Sequence, residues 1–141
     1  MAATHVDTID RTVQKTYAWL NEIAAALGTE DRHKAYLVLR AYLHALRDRL
    51  SVDEAAQLGA QLPVLIRGIY YDGWDPSKTP VKMRHADEFL QRVAKEAHLL
   101  SATEAKAAVR AAADVMRSRV AEDEMQDVLG MLPARVRELI D

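Results

Sequence analysis

The chain has 141 residues, half of them apolar and 28% charged, and its 19 basic and 21 acidic residues give a net charge of −2. It contains no cysteine, which excludes disulfides, iron–sulfur clusters, thiolate zinc sites and a cysteine nucleophile. No apolar run approaches the roughly 20 residues of a membrane span, and no basic region precedes an apolar stretch at the start. We therefore expect one soluble domain, residues 1–141, in a reducing cytoplasm and without a membrane partner.

Helix-forming residues and helix-ending signals follow one another from the start of the chain. An apolar stripe at helical spacing predicts a first helix over about Asp7–Leu27, in which Trp19 faces the core. Gly28 can close this helix in a left-handed conformation. Thr29 is predicted to cap a second helix that ends near Leu50.

Two shorter helices follow. Ser51 and Glu54 form a capping box, which predicts the start of a third helix. Pro63 fits the first position of a fourth, where its missing N–H costs nothing. The glycines and prolines of residues 68–82 predict a linker loop.

The same pattern then begins again. A shift of 70 residues aligns residues 13–70 with 83–140 without a gap, and Pro63 falls on Pro133. This alignment indicates an internal duplication. We predict an all-α fold of about eight helices, arranged as two tandem four-helix repeats that share one core, because a copy of this size alone has a marginal core.

Several segments carry a family resemblance. They are Asp31-Arg32, Leu-Arg-Ala at 39–41, Leu-His-Ala-Leu-Arg-Asp-Arg-Leu at 43–50, Glu-Ala-Ala-Gln-Leu at 54–58, Ala-Gln-Leu-Pro at 60–63 and Arg-Gly-Ile-Tyr-Tyr-Asp-Gly-Trp at 67–74. Together they resemble a bacterial family catalogued as domain of unknown function 2267. The resemblance implies a small all-helical bacterial protein and supplies no catalytic residue or cofactor.

Arginines that recur in both repeats are the most informative polar feature. The set is Arg40, Arg47, Arg67, Arg110, Arg117 and Arg137. One interpretation is structural, with guanidinium groups tying helices to carboxylates and to helix-end carbonyls. The other is an anion-binding site, in which arginines of both repeats face a phosphate or carboxylate ligand.

The linker holds three of the eight aromatic residues, namely Tyr70, Tyr71 and Trp74. In the first interpretation Trp74 and one tyrosine fold back, and the loop is a rigid strap between the repeats. In the second these side chains stay exposed and form a partner-binding loop, since tryptophan and tyrosine dominate binding hot spots.

Other polar motifs point to ordinary helix termini. Ser51 and Ser101 fit helix caps, and the acidic runs at 53–54 and 122–124 fall in helix first turns, where the helix dipole favours carboxylates. Glu30 and His33 have the spacing of a di-iron ligand pair, but the second repeat lacks it. We expect no metal, no cofactor and no catalytic residue, because motifs of the common enzyme classes are also absent.

Charge argues against a nucleic-acid partner. Residues 1–70 hold eight basic and eight acidic residues, and residues 71–141 hold eleven and thirteen, whereas nucleic-acid binders need a cationic face. The segment Val52–Leu58 is also acidic at the end that would enter a DNA groove.

We therefore predict a non-enzymatic helical interaction or accessory module of bacteria, which presents the loop or a groove to another protein. The alternative is a small anionic-ligand sensor that uses the paired arginines. The sequence leaves open whether the protein is a monomer or a homodimer.

Overall fold

Eight α-helices account for most of the chain. The computed structural model describes residues 4–141, so residues 1–3 of the predicted domain lie outside the described range. The helices are α1 (Asp7–Leu27), α2 (Arg32–Arg49), α3 (Val52–Ala60), α4 (Val64–Tyr71), α5 (Ala86–Ala97), α6 (Ala102–Arg119), α7 (Glu122–Met131) and α8 (Ala134–Ile140). A short 3-10 turn, Pro76–Lys78, lies between α4 and α5. The described range contains no strand, which confirms the all-α prediction with eight helices.

The first helix ends as predicted, and the second begins two residues later than predicted. Gly28 has φ 73° and its N–H bonds to the carbonyls of the last turn of α1. Asp31, rather than Thr29, is the N-cap of α2, because its Oδ1 accepts from the N–H groups of His33 and Lys34. Thr29 Oγ1 instead accepts from the N–H of Asp31 at 3.1 Å.

Serine caps begin α3 and α6, as the sequence predicts. Ser51 Oγ accepts from Glu54 N–H at 3.2 Å, and Ser101 Oγ accepts from Glu104 N–H at 3.0 Å. Glu104 also reaches back to the N–H of Leu100. The side chain of Glu54 does not reach back and is buried.

The fourth helix differs from the prediction at both ends. Pro63 is its N-cap rather than its first helical residue, and the helix continues through Gly68 to Tyr71. The turn-forming composition is overridden because Tyr70 is fully buried, and tertiary packing outweighs local propensity. The linker therefore spans residues 72–85 rather than the predicted 68–82.

The core is built around α2, which buries eleven of its 18 residues. α2 packs against α1, α4, α5 and α6, while α3 packs against α4 and α7. Buried side chains of all eight helices belong to one hydrophobic cluster, in which Trp19 is 2% exposed. Among the described helices, none has the length and apolar character to cross a membrane.

Candidate functional site

A buried ion pair lies at the C-terminal end of α2. Arg47 donates to both carboxylate oxygens of Asp48 at 2.7 and 3.1 Å, and to the carbonyls of Tyr70 and Asp72 at 2.7 and 3.0 Å. Arg92 also donates to Asp48. Burial alone raises the pKa of Asp48, but the hydrogen bonds from Arg47 and Arg92 outweigh it and hold that pKa below its usual range. Arg47 therefore joins α2 to the end of α4.

A more accessible network continues along the same face of α2. Arg40 donates to Asp72 at 2.7 Å, and this hydrogen bond lowers the pKa of the Asp72 carboxyl. His44 contacts Glu96 Oε1 through Nδ1 at 2.5 Å and the carbonyl of Ile69 through Nε2 at 2.7 Å. Each ring nitrogen of His44 thus lies at hydrogen-bond distance from an oxygen of this chain.

The remaining arginines of the hypothesised anion site also donate hydrogen bonds to oxygen atoms of this chain. Arg67 donates to the carbonyls of Gly59 and Leu62, each at 2.9 Å. Arg137 donates to the Leu132 carbonyl at 3.2 Å. These guanidinium groups cap the C-terminal ends of α3 and α7, where unpaired carbonyls carry the negative end of the helix dipole.

At the end of the chain, Arg117 donates to the Ile140 carbonyl at 2.8 Å and Arg110 donates to the backbone oxygen of Asp141. All six arginines thus have acceptors within the protein, which agrees with their structural interpretation. An anion would have to share or displace those acceptors, and anion binding by this set stays a prediction.

The three aromatic residues of the linker prediction form a packed row. Tyr70 is fully buried and its hydroxyl donates to the Ala55 carbonyl at 2.7 Å. The Tyr71 ring lies 5.0 Å from the Tyr70 ring and 5.3 Å from the Trp74 ring, measured between centroids. Tyr71 and Trp74 are partly buried against the core. This geometry favours the strap interpretation, and Tyr70 has no exposed surface to offer a partner.

The chain continues as a strap across the end of α2. Val81 N–H donates to the Asp48 carbonyl at 2.7 Å, and Arg49 Nε donates to the Met83 carbonyl at 3.0 Å. The linker is therefore attached to the body at both of its ends.

An open apolar groove runs between α1 and α4, and residues of α2 form part of its wall. It consists of three overlapping cavities of about 690, 460 and 300 Å³. Four of the eight exposed large apolar side chains of the described chain line it, namely Ile9, Tyr17, Val64 and Leu65. Apolar side chains gathered in this way mark binding surfaces more often than scattered ones do.

Basic side chains surround this groove. Arg11 and Lys15 lie at one end, and Arg32 lies at the other, 4.9 Å above the Tyr17 ring. Within residues 4–141, none of these three forms a salt bridge. Asp72 also lines the groove, but its charge is paired with Arg40. The rim is therefore positively charged.

Two buried carboxylates face each other where α3 meets α7. Glu54 and Glu124 are 5% and 8% exposed, and one oxygen of each, with one of Asp127, lie within 4.8 Å of one another. Burial, then a hydrogen bond with Glu54 and repulsion from neighbouring carboxylates, raises the pKa of Glu124 to about 7. Oε1 of both glutamates is buried with no hydrogen-bond partner among the described residues.

The family assignment rests on nearly the whole helical bundle. Residues 16–139 match the family described as "Uncharacterized conserved protein (DUF2267)". The chain belongs to the DUF2267 family. No curated protein matches it. The resemblance noted in the sequence is thereby confirmed, and the function of this DUF2267 chain has to be argued from its geometry.

Sequence reasoning missed two features of the DUF2267 chain. It assigned Glu54 and Glu124 to helix first turns, which is correct, but not to the buried face. Each lies four residues before an apolar residue, Leu58 or Val128, so helical spacing indicated a shared buried face. The groove gave no local signal, because its walls come from α1, α2 and α4, and α4 is far from α1 in sequence.

Proposed function

We propose that this DUF2267 chain is a non-enzymatic interaction module that binds an acidic amphipathic helix of a partner protein in the groove between α1 and α4. The observation that carries the proposal is the gathering of exposed apolar side chains in one open groove. Helix-in-groove recognition uses such a surface, with apolar anchors at helical spacing.

The dimensions of the groove suit a short helix. Its wall on α1 extends from Thr8 to Leu20, which corresponds to about 18 Å at the rise of an α-helix. A partner helix of about three turns has the same length and presents three or four apolar anchors on one face.

The basic residues around the groove favour a partner helix with an acidic polar face. Because Arg11, Lys15 and Arg32 surround the groove without salt-bridge partners in residues 4–141, a helix with Asp and Glu beside its apolar stripe complements the rim. The same argument predicts that the affinity falls as salt is added.

We also propose that the two halves are repeats related by an approximate two-fold axis. In support, α2, α3 and α4 begin 70 positions before α6, α7 and α8. A rotation that exchanges the two halves carries the α1–α6 contact onto the α2–α5 contact. It carries the α2–α6 contact and the α3–α7 contact each onto itself. Arg47 and Arg117 donate to carbonyls that are also 70 residues apart.

This relation explains why the groove lies in the first half. α5 begins 70 positions after Thr16, so the turns of α1 before Thr16 have no helical counterpart. Those turns carry Ile9 and Val13, which line the groove. We place the module in the bacterial cytoplasm, a proposal supported by the absence of cysteine and by the resemblance described above.

Two synthetic peptides test the proposed function. Both carry the same stripe of leucines at helical spacing, and their polar faces consist of either glutamate or lysine. Fluorescence anisotropy with the full chain is expected to show tighter binding of the acidic peptide, by about tenfold or more at low salt. Equal affinity for both peptides, or no binding of either, would contradict the proposal.

Leu65→Glu and Leu100→Glu form a matched pair of variants. Leu65 lines the groove and is 40% exposed, whereas Leu100 is 96% exposed and lies beside a different cavity. We expect Leu65→Glu to weaken binding of the acidic peptide by at least about tenfold and Leu100→Glu to leave it unchanged. If light scattering instead shows a homodimer that only Leu65→Glu dissociates, a second copy of the chain occupies the groove and the partner proposal fails.

The alternative, a sensor of small anions, is tested separately. Calorimetry with phosphate, sulfate, a nucleotide and polyphosphate detects binding to the arginine pairs directly. Saturable heat that disappears in the Arg40→Ala variant would favour the sensor over the interaction module.

A further inference from the structure

The interface of α3 and α7 brings together acidic side chains from the two halves of the chain. Ser51 Oγ at the start of α3 donates to Met131 Sδ at the end of α7, at 3.5 Å. Glu54 and Glu124 are each the third residue of their helix and point into this interface. Asp127 lies one turn after Glu124 and adds a third carboxylate.

The two glutamates have no positively charged partner among the described residues. Each is more than nine-tenths buried, and Oε1 of each has no hydrogen-bond partner among the described residues. No lysine or arginine of the described chain forms a salt bridge with either of them. A buried carboxylate normally requires a charged or hydrogen-bonding partner, so the pair points to a positively charged species from solution.

The arrangement of oxygens suits a small cation. One oxygen from each of the three carboxylates lies within 4.8 Å of the others. Ligands around Mg²⁺ at about 2.1 Å or Ca²⁺ at about 2.4 Å lie at most about 4–5 Å apart, so little rearrangement is needed. The donors are all oxygens, which favours hard cations over zinc or copper.

We propose that Glu54, Glu124 and Asp127 bind a divalent cation of the Mg²⁺, Mn²⁺ and Ca²⁺ class between α3 and α7. Asp127 is exposed and leaves one side of the site open, where water completes the coordination and the ion enters. A cation held in this way joins the two halves of the chain through α3 and α7. The site is independent of the groove, so either proposal can fail without the other.

Binding is measured on the full chain after treatment with EDTA and dialysis. Mn²⁺, Mg²⁺ and Ca²⁺ are titrated separately by calorimetry at slightly alkaline pH, and each sample is then melted with and without the ion. We expect saturable binding of one ion per chain for at least one of the three, and a rise in melting temperature of several degrees, since binding to the folded state alone stabilises it.

Three variants identify the ligands. Glu124→Gln and Asp127→Asn each remove one carboxylate and are expected to weaken binding by about tenfold or more. Glu122→Gln is the matched control, because Glu122 lies on the same helix but is exposed, and its affinity is expected to stay within about twofold of the parent. Asp127→Asn changes an exposed residue and is expected to fold normally.

Two results would overturn the proposal. One is the absence of saturable binding at millimolar concentrations of all three ions, which would mean that a shared proton neutralises the glutamates. The other is an equal loss of binding in Glu122→Gln and Glu124→Gln, which would indicate a diffuse acidic surface rather than a site.

Discussion

Arg47 offers the sharpest test of how the helices are held together. Its guanidinium group forms four hydrogen bonds, two to the Asp48 carboxylate and two to the carbonyls of Tyr70 and Asp72. The substitution Arg47→Lys keeps the positive charge beside Asp48 but replaces a planar fork with a single ammonium group. An ammonium group cannot reach the carboxylate and both carbonyls at once.

The expected cost follows from the bonds that are lost. A lysine at this position can keep either the interaction with the Asp48 carboxylate or the hydrogen bonds to the two carbonyls. About two of the four hydrogen bonds are therefore lost. Arg47 is 3% exposed, and each buried acceptor left without a partner costs about 1–3 kcal/mol. We expect Arg47→Lys to lower the free energy of unfolding by about 2–6 kcal/mol, a large part of the stability of an ordinary domain.

Arg117→Lys is the matched control. The side chain of Arg117 is 39% exposed and donates to the carbonyl of Ile140 at 2.8 Å. Water can replace that bond, so the expected cost is below about 1 kcal/mol. Urea denaturation followed by circular dichroism measures both values, and the slope of the transition should stay unchanged. Equal losses in the two variants, or a loss below about 1 kcal/mol for Arg47→Lys, would refute the reasoning.

Two further predictions concern α3 and α7. Because burial and the neighbouring Glu54 raise the pKa of Glu124 from 4.5 to about 7, the folded chain holds a proton that the unfolded chain releases. In EDTA, the free energy of unfolding is therefore expected to fall by about 1–2 kcal/mol between about pH 5 and pH 8, after allowance for solvent screening. Urea titrations across that range should show that the free energy of unfolding of Glu124→Gln does not fall with pH in this way. A fall that persists in the variant would contradict the assignment of the proton to Glu124. Gly59→Ala places a methyl group 2.3 Å from Tyr71 Oη, whereas Gly130→Ala meets no atom within 4 Å. Thermal melts should show Gly59→Ala destabilised by about 1–3 kcal/mol and Gly130→Ala stabilised by about 0.5–1 kcal/mol, and equal effects would contradict the packing described.

Features that depend on neighbouring residues were predictable from the sequence. Gly28 closes α1 and Ser51 begins α3, because both signals act through hydrogen bonds within one turn of the chain. Trp19 was correctly predicted to face the core. The same local reasoning chose Thr29 over Asp31 as a cap, since both residue types accept the required hydrogen bonds.

Features that depend on distant segments were not predictable in this way. The composition of residues 68–71 predicts a loop, but the packing of Tyr70 against α3 extends the helix through them. Glu54 has the position of a capping-box residue, yet its side chain turns toward Glu124 in the other half of the chain. In both cases the deciding contact lies at least 15 residues away, beyond the reach of local patterns.

The hydrogen bonds at both ends of α4 have a consequence for recognition. Thr12 Oγ1 on α1 accepts from the N–H of Leu65 at 3.1 Å, while Arg47 on α2 holds the carbonyl of Tyr70. The α4 side of the groove is thus fixed by hydrogen bonds from α1 and α2 before any partner binds. A partner helix would bind a preorganised groove, so its affinity would not be reduced by the entropy cost of ordering α4.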